Sequence, residues 1–423
     1  MKIGLIAMSG IRVVNPELRA LGLTLPGFVE RGKMIASLPS LGLLTLAGMT
    51  PEEHEITYLD VEEAGNVATD FDLVGISSLT ASVDEAYRLA DEFRTLGSKV
   101  VMGGLHVSVL PEEALAHCDA VLVGNAEGVW NRLLTDAKKG DLQRIYRGGS
   151  GYQMPAFQLL QGRAYNRVTV QTSRGCPRDC EFCGASRLIS RFQQKPVNRV
   201  IEEIREAKRW VELPFFELAD DNTFLNHEWG KEFLRALIPE KIRWFTETDA
   251  SVANDPELLD LLAESGCRQL LIGFESPRAN DLTTVDPRQW KAGMTELYQE
   301  VIDRLQSRGV SVNGCFILGL DNHTPEIFPA IEAFVKSSGL AEVQVTVLTP
   351  FPGTELYARL RNEKRLLAER FWDRCTLFDV NFQPALMSVE ELEKGLRWLF
   401  EKLYSQGAYS ERRRGFISQA RAE

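Results

Sequence analysis

The residues best suited to chemistry are gathered in one stretch, Gln171 to Arg187, which reads QTSRGCPRDCEFCGASR. It spaces Cys176, Cys180 and Cys183 as C-x3-C-x2-C, so that three thiolates can converge on one small centre. Structural zinc takes four protein ligands, whereas a cubic iron-sulfur cluster can be held through three of its irons with the fourth left open. Gly175 and Pro177 suit a loop wrapped around an inorganic object, Gly184 lets backbone pass close to it, and Phe182 offers an apolar lid. Two plainer readings stand beside the cluster: three free cysteines close by chance, and a three-ligand zinc site. The other four cysteines are scattered over the rest of the chain, which favours the cluster.

Such a loop needs rigid elements around it. Beyond a flexible Gly-rich joint at 147–151, strand and helix patterns alternate from residue 160 to 365, with strands expected at 167–172, 215–219, 242–246, 269–273, 311–318 and 342–348. Asn198 reads as the cap of one helix, and Asp255 with Pro256 opens another that Gly266 closes. This series predicts a partial (β/α)6 barrel, whose functional residues belong at the carboxyl ends of its strands. The polar punctuation falls there: Asp220, Asp221 and Asn222, then Glu247, Thr248 and Asp249, then Gly273 and Glu275, with Gly319 and Pro350 to Gly353 closing the series. Cys267 and Cys315 read as small core hydrophobes.

Residues 1–150 show the same alternation, with strands expected at 2–7, 55–60, 73–77, 99–102 and 120–123. A marked helix begins at Ser82, with Glu85 three residues on, and ends at Gly97. The pattern is that of an α/β domain with a doubly wound, flavodoxin- or Rossmann-like parallel sheet, which binds ligands at the carboxyl ends of its strands. Three strand ends carry small or polar residues: Ser77 to Thr80 with Ser78, Gly103-Gly104-Leu105-His106, and Gly124 to Gly128 with Glu127. In the tail, 366–423, Ser388 and Glu391 form a capping box ahead of an apolar stripe of Leu392, Leu396, Leu399, Phe400 and Leu403, expected to pack over the barrel mouth. Residues 371–384 have no clear period and form a candidate substrate lid, with Cys375 either reactive or packed.

At 423 residues the chain has room for two or three domains. It is 44% hydrophobic and 25% charged, as soluble globular proteins are, and has no apolar run long enough to span a bilayer. MKIGLIAMSG reads as a first strand, not a signal peptide, and seven cysteines without a framework pattern fit a reducing compartment, so a cytoplasmic location is expected. A net charge of -11 disfavours nucleic acid as the main partner, and Arg412 to Arg414 read as a solvated helix end.

The cysteine spacing, with an aromatic residue just before the third cysteine, resembles the radical S-adenosylmethionine (SAM) superfamily. The resemblance implies a [4Fe-4S] cluster on Cys176, Cys180 and Cys183 whose open iron is chelated by SAM, and reductive cleavage of SAM to a 5′-deoxyadenosyl radical. It implies Asp220 and Asp221 near the SAM amino group, Glu247 near the ribose or carboxylate, Gly273 and Glu275 beside the adenine, and Phe182 over the cluster. The upstream stretch GGLHVSVLPEEA, followed by a strand and VGNAEG, resembles the cobalamin (B12)-binding domain that precedes the barrel in one subgroup. Ser78, Thr80, Gly103, Gly104, His106, Gly124 and Glu127 are the contacts it implies. The Asp-x-His-x-x-Gly motif that supplies a cobalt ligand elsewhere is absent, since the loop after the first strand reads SGIRVVNPELRALG; His106 is the one candidate substitute.

The leading expectation is a cobalamin-dependent radical SAM methyltransferase acting on an unactivated carbon of a small or lipid-like metabolite. One SAM would methylate the corrinoid and a second would yield the radical, with a reductase, flavodoxin or ferredoxin as electron donor. Two alternatives stay open: radical chemistry without cobalamin, such as rearrangement, cyclisation or 3-amino-3-carboxypropyl transfer, and a non-catalytic electron-transfer or binding protein.

Overall fold

The computed structural model describes residues 1–8, 13–21, 38–60, 70–163, 165, 167–185, 188–212, 214–286 and 288–420. Ser186 and Arg187 of the cysteine stretch, and residues 9–12 and 22 of the loop after the first strand, lie outside the described residues.

The first sheet is made of β1 (Lys2–Met8), β2 (Glu55–Asp60), β3 (Leu73–Ser78), β4 (Lys99–Gly103), β5 (Ala120–Val123) and β6 (Ile145–Arg147). All pairs are parallel, in the order β2-β1-β3-β4-β5-β6. The order turns back between β1 and β3, which is where a doubly wound sheet opens a crevice at its strand ends. Val74, Ile76, Val100, Met102 and Val121 are buried, as parallel strands covered on both faces require. β6 is three residues long and carries no periodic signal, which is why the sequence shows only a joint there. The helix Val83–Thr95 starts where expected, but Ser82 makes no side-chain cap hydrogen bond.

The second sheet runs β7 (Val168–Val170), β10 (Phe215–Leu218), β11 (Arg243–Thr248), β12 (Cys267–Glu275), β13 (Ser311–Leu318) and β14 (Glu342–Val347), all parallel and laid side by side in chain order. It is a partial (β/α)6 barrel. Two short strands, β8 (Ser173–Arg174) and β9 (Gln193–Gln194), pair antiparallel between β7 and β10 and close the base of the cysteine loop. The helix expected to be capped by Asn198 spans Val197–Trp210, with Pro196 at the cap; the proline's fixed φ and missing N–H suit a helix start. Asp255 caps its helix as expected, accepting from Leu258 N.

The tail departs from expectation in position. The capping box of Ser388 and Glu391 starts the helix Val389–Leu403, and its apolar stripe is buried. That stripe packs on the barrel flank against the helix Ile327–Ser337, not over the mouth: a Cβ on Gly395 would sit 2.0 Å from the Phe328 ring. Just beyond, the Tyr404 hydroxyl donates to Val343 O and accepts from Val345 N, both at 3.0 Å. It thereby occupies backbone groups on the edge strand β14 that would otherwise stay open. Residues 371–384 are packed rather than lid-like, with Trp372 at 4% exposure and Cys375 at 1%, so Cys375 is a core thiol. No helix among the described residues is long and apolar enough to cross a membrane.

Tyr404→Phe removes both edge hydrogen bonds and should cost about 1 kcal/mol, read as a lower denaturant midpoint for the barrel transition.

Candidate active site

The cysteine loop is rooted by a buried carboxylate. Asp220, just past β10, accepts the N–H groups of Thr172 (2.7 Å) and Ser173 (2.8 Å) and the hydroxyls of Thr172 (2.6 Å) and Thr223 (2.9 Å). Burial pushes its carboxyl up while these donors pull it down, and both oxygens are spent on the root of the loop. The sequence expectation for Asp220, a contact with the SAM amine, therefore gives way to a structural duty; the neighbouring Asp221 is the one that lines the cavity.

The rest of the loop is held from outside. Gly175, at φ +72°, lies where a Cβ would come within 2.6 Å of Ser190 O, and a Cβ on Gly184 would meet the Phe351 ring at 2.9 Å. Glu181, between the second and third cysteines, donates its N–H to Val285 O (3.1 Å). Its carboxylate takes both arms of Arg359 (2.6 and 3.0 Å), and Arg359 reaches on to Asp321 (2.7 Å). Such a bidentate pair fixes direction as well as distance.

Cys176, Cys180, Cys183 and Phe182 open on a cavity of about 740 Å3 at the carboxyl ends of β10 to β14. Burial pushes the Cys176 thiol up and that of Cys180 up to about 12. A cubic cluster takes one thiolate at each of three corners, and three cysteines of one loop open on this cavity. The donor set therefore fits a cluster.

Asp221, Glu247, Asp249, Gly273 and Glu275 line the same cavity as the cysteines. The lining carries six carboxylates (Asp179, Asp221, Glu247, Asp249, Glu275, Asp286) against three cations (Arg178, Arg288, Lys291), a surplus that suits a ligand with ammonium and sulfonium charges. Glu247 faces the hollow and is exposed to it, with other acids close by. Burial first, then the carboxylates of Glu217, Asp221, Asp220 and Glu275, push it up to about 8.

Several residues in this wall carry no sequence signal. Lys291 pairs with Glu275 (2.6 Å) and donates to Gly273 O (3.2 Å). Burial opposes its charge, but Glu275 and the nearby Cys180 hold it above the ordinary lysine range. Glu275 sits at φ +63° beside an irregularity in β12, so its carboxylate folds back over Gly273. A Cβ on Gly273 would lie 2.4 Å from that carboxylate, so the glycine makes room for the pair. Arg178 stacks on Trp290 (3.8 Å) and binds Asp249 (2.9 Å). Asp286 turns the chain inward by accepting the N–H groups of Arg288, Trp290 and Lys291. Cys315 also opens on the cavity, kept neutral by burial and Glu275, while Cys267 is core.

A second hollow, about 290 Å3 within the described residues, lies between the strand ends of the first sheet and the barrel. Ser77, Gly103, Gly104, Gly124 and Glu127 line it, facing Gln171, Arg174, Ile189 and Ser190. A Cβ at Gly103 or Gly124 would meet nothing nearer than 3.7 and 3.8 Å, so both present open backbone to a broad ligand, as a corrin ring needs. Glu127 is drawn into an ion pair with Arg174 (2.7 Å) across the crevice. Ser78 and Thr80 are buried but absent from this lining, and Ser77 takes the place expected for them. His106 is fully buried with Nε2 3.4 Å from Glu113 and its ring against Trp372, on the far side of the sheet end; it does not line the crevice.

Comparison with known proteins finds the Radical SAM superfamily over residues 170–335, the B12 binding domain over 33–134, and a domain of unknown function (DUF4070) over 354–423. Bacteriochlorophyllide d C-8(2)-methyltransferase of Chlorobaculum tepidum is 29% identical over 384 residues, 84% of this chain and 83% of that protein. Hopanoid C-2 methylase of Rhodopseudomonas palustris is 26% identical, covering 78% and 66%. In fold, the chain is similar along its whole length to the radical S-adenosylmethionine methyltransferase TsrM of Kitasatospora setae, solved with cobalamin and a [4Fe-4S] cluster: TM-score 0.67, 16% identity, 100% and 99% covered.

The two adjacent aspartates should separate in function. Asp220→Ala leaves several donors at the root of the loop unpaired, costing about 1–3 kcal/mol, and should lower iron retention after anaerobic reconstitution; Asp221→Ala should keep the iron and weaken SAM binding in calorimetry. Glu247 gives a pH signature. A carboxyl raised to about 8 in the fold keeps its proton where the unfolded chain has lost it, so its contribution to stability falls as pH rises from about 4.5 to about 8. Glu247→Gln should flatten that part of the stability profile of the SAM-free protein.

Proposed function

The chain belongs to the radical SAM superfamily, in the branch that carries a B12-binding domain ahead of the barrel, and from that premise we propose that it methylates an unactivated carbon of an apolar-bodied metabolite. The observation that carries this reading is the adjacency of the two hollows. One loop separates them: its cysteines face the large cavity, while Arg174, Ile189 and Ser190 at its two ends face the crevice.

When bound, the cluster and SAM supply one-electron cleavage of a sulfonium, and cobalamin supplies a carrier for the methyl group. The protein's part is to bind, orient and enclose. Cys176, Cys180 and Cys183 hold the cluster, with Phe182 covering it. Asp221 and Glu247 would hold the SAM ammonium, and Lys291, aimed by Glu275, would hold its carboxylate. Gly103, Gly104 and Gly124 give the corrin a backbone surface to lie on, and the Glu127–Arg174 pair ties that crevice to the cluster loop.

The substrate class follows from how the cavity is divided. Charged groups gather on β10 to β12 and the Trp290 segment, whereas the β13 and β14 side carries none and mixes Ile317, Val347, Leu348, Phe351 and Leu377 with the uncharged Gln344, Thr346 and Thr349. A largely hydrocarbon body with a few uncharged polar groups suits that side, and the C-8(2) and C-2 positions in the names of the two relatives agree with attack at carbon. The electron comes from a flavodoxin-, ferredoxin- or reductase-type donor.

Anaerobic reconstitution with iron, sulfide and hydroxocobalamin should give protein that retains cobalt and shows a corrinoid spectrum. With dithionite and SAM it should release 5′-deoxyadenosine, and Cys180→Ala should lose both the iron and that product. A wild-type protein that retains no corrinoid overturns the methyl-transfer reading. Lys291→Met should weaken SAM binding about tenfold, the loss of one buried charge-assisted contact, with iron content unchanged.

A further inference from the structure

The segment Phe371–Asp379 lies in the region matched only by the domain of unknown function. It belongs to neither sheet, yet it touches both halves of the molecule and the cavity wall. Its first part is embedded in the N-terminal domain. Phe371, Trp372 and Cys375 share one core with Val83, Tyr87 and Val107. The Trp372 ring lies 5.4 Å from that of His106, and its indole N–H donates to both oxygens of Glu113 (3.0 and 3.1 Å). Burial opposes the Glu113 charge, but His106, Trp372 and Arg370 hold its carboxyl down at about 2, so the acceptor stays ionised at any working pH. Arg370 also binds Asp84 at the start of the helix Val83–Thr95.

A second anchor lies at the other end of the segment. Asp379, 1% exposed, accepts the N–H groups of Val14 (2.9 Å) and Asn15 (2.6 Å), which lie between β1 and β2. Thr376 donates its hydroxyl to the same carboxylate (2.5 Å) and accepts the N–H groups of Phe378 and Asp379, which locks the turn. Between the anchors, Leu377 stands at φ +70°, a conformation a leucine adopts only when its surroundings impose it. There its carbonyl accepts Val347 N at the end of β14 (2.6 Å), and its side chain lines the large cavity.

We propose that Phe371–Asp379 is an interdomain staple that holds the corrin crevice in line with the cluster cavity, with Leu377 as its point of contact with the substrate space. The alignment part rests on the reading that both cofactors bind; the staple itself rests on contacts alone. A carrier and a cluster in separate domains act on one substrate only if the domains keep a fixed relation, and misplacement by about 1 Å is costly. The crevice side supplies the tie of Glu127 to Arg174, Thr169 reaches Pro39 O beside β7, and Arg397 pairs with Glu17. The two anchors, on the Glu113 side and on the β1 side, add restraint next to the cavity wall, where those ties do not reach. The indole of Trp372 and the carboxylate of Asp379 are thus positioning groups.

The test uses the full chain reconstituted with cluster and hydroxocobalamin, comparing Trp372→Phe and Asp379→Asn with wild type. Trp372→Phe keeps the ring and removes the N–H donor; Asp379→Asn keeps the shape and weakens the acceptor. Hydrogen exchange should quicken about tenfold in residues 105–114 for the first and in 13–21 for the second, as local opening becomes easier. Cobalt content should fall while iron content and dithionite-driven 5′-deoxyadenosine formation stay within about twofold. Unchanged exchange at both anchors overturns the staple, and so does parallel loss of iron and cobalt in both variants, which marks general unfolding. If wild-type protein holds no cobalt, the proposed function fails and the exchange measurement alone decides the staple.

Discussion

A loop with almost no regular structure must hold three thiolates in fixed positions, and fixing each residue of it costs roughly 1–2 kcal/mol of backbone entropy. The restraint comes from outside. Asp220 ties the entry of the loop to the end of β10, the β8–β9 pair closes its base, and Glu181 with Arg359 clamps the stretch between the second and third cysteines. Arg359 lies on the helix Glu355–Asn362, after the last barrel strand, so the loop is complete only when the whole barrel has closed. Cluster binding is thereby coupled to folding of the domain.

The barrel lumen then has an electrostatic problem to solve, because carboxylates point inward at several levels. Lower down, Glu217 is paired with Arg167 (3.1 Å), which also lies over the Phe245 ring. Higher up, Glu275 is paired with Lys291. Glu247, between them, is surrounded by the acids Glu217, Asp221, Asp220 and Glu275. A carboxylate crowded by other carboxylates favours its protonated form until a cation meets it. Glu247 opens on the cavity among these acids, which is a setting that favours a ligand cation.

Much of this was legible in the chain. The cysteine spacing, the two α/β halves and nearly every strand follow from short apolar runs ending in small or polar residues, since parallel strands are buried on both faces and leave a strong signal. The capping box at Ser388 and the cap at Asp255 are local hydrogen-bond patterns and read directly. What could not be read depends on where a side chain points. Asp220 and Asp221 are adjacent and chemically alike, and only the twist of the chain past β10 assigns one to the loop and the other to the cavity. Ser77 and Ser78 divide in the same way, because successive strand residues face opposite sides. His106 sits beside the crevice glycines in sequence but turns toward Trp372, a partner 266 positions away. Lys291 follows an irregular turn that Asp286 organises, and no period marks it.

The tail shows why the barrel alone is an incomplete object. A six-stranded parallel sheet leaves two open edges, and each exposes backbone donors and acceptors. The β7 edge turns toward the N-terminal half, where Thr169 reaches Pro39 O (3.4 Å). The β14 edge is met by Tyr404, from the helical tail. The chain between β14 and that helix has to cross the face of the molecule, and on its way it passes the cavity wall and the N-terminal domain. Apolar residues along that path could have been avoided by a polar linker. Phe371, Trp372, Cys375, Phe378, Val380 and Phe382 are instead all at or below 5% exposure. Burial on that scale is bought only by a path with two cores to fill, so the connection that seals the barrel edge is the same one that joins the two halves.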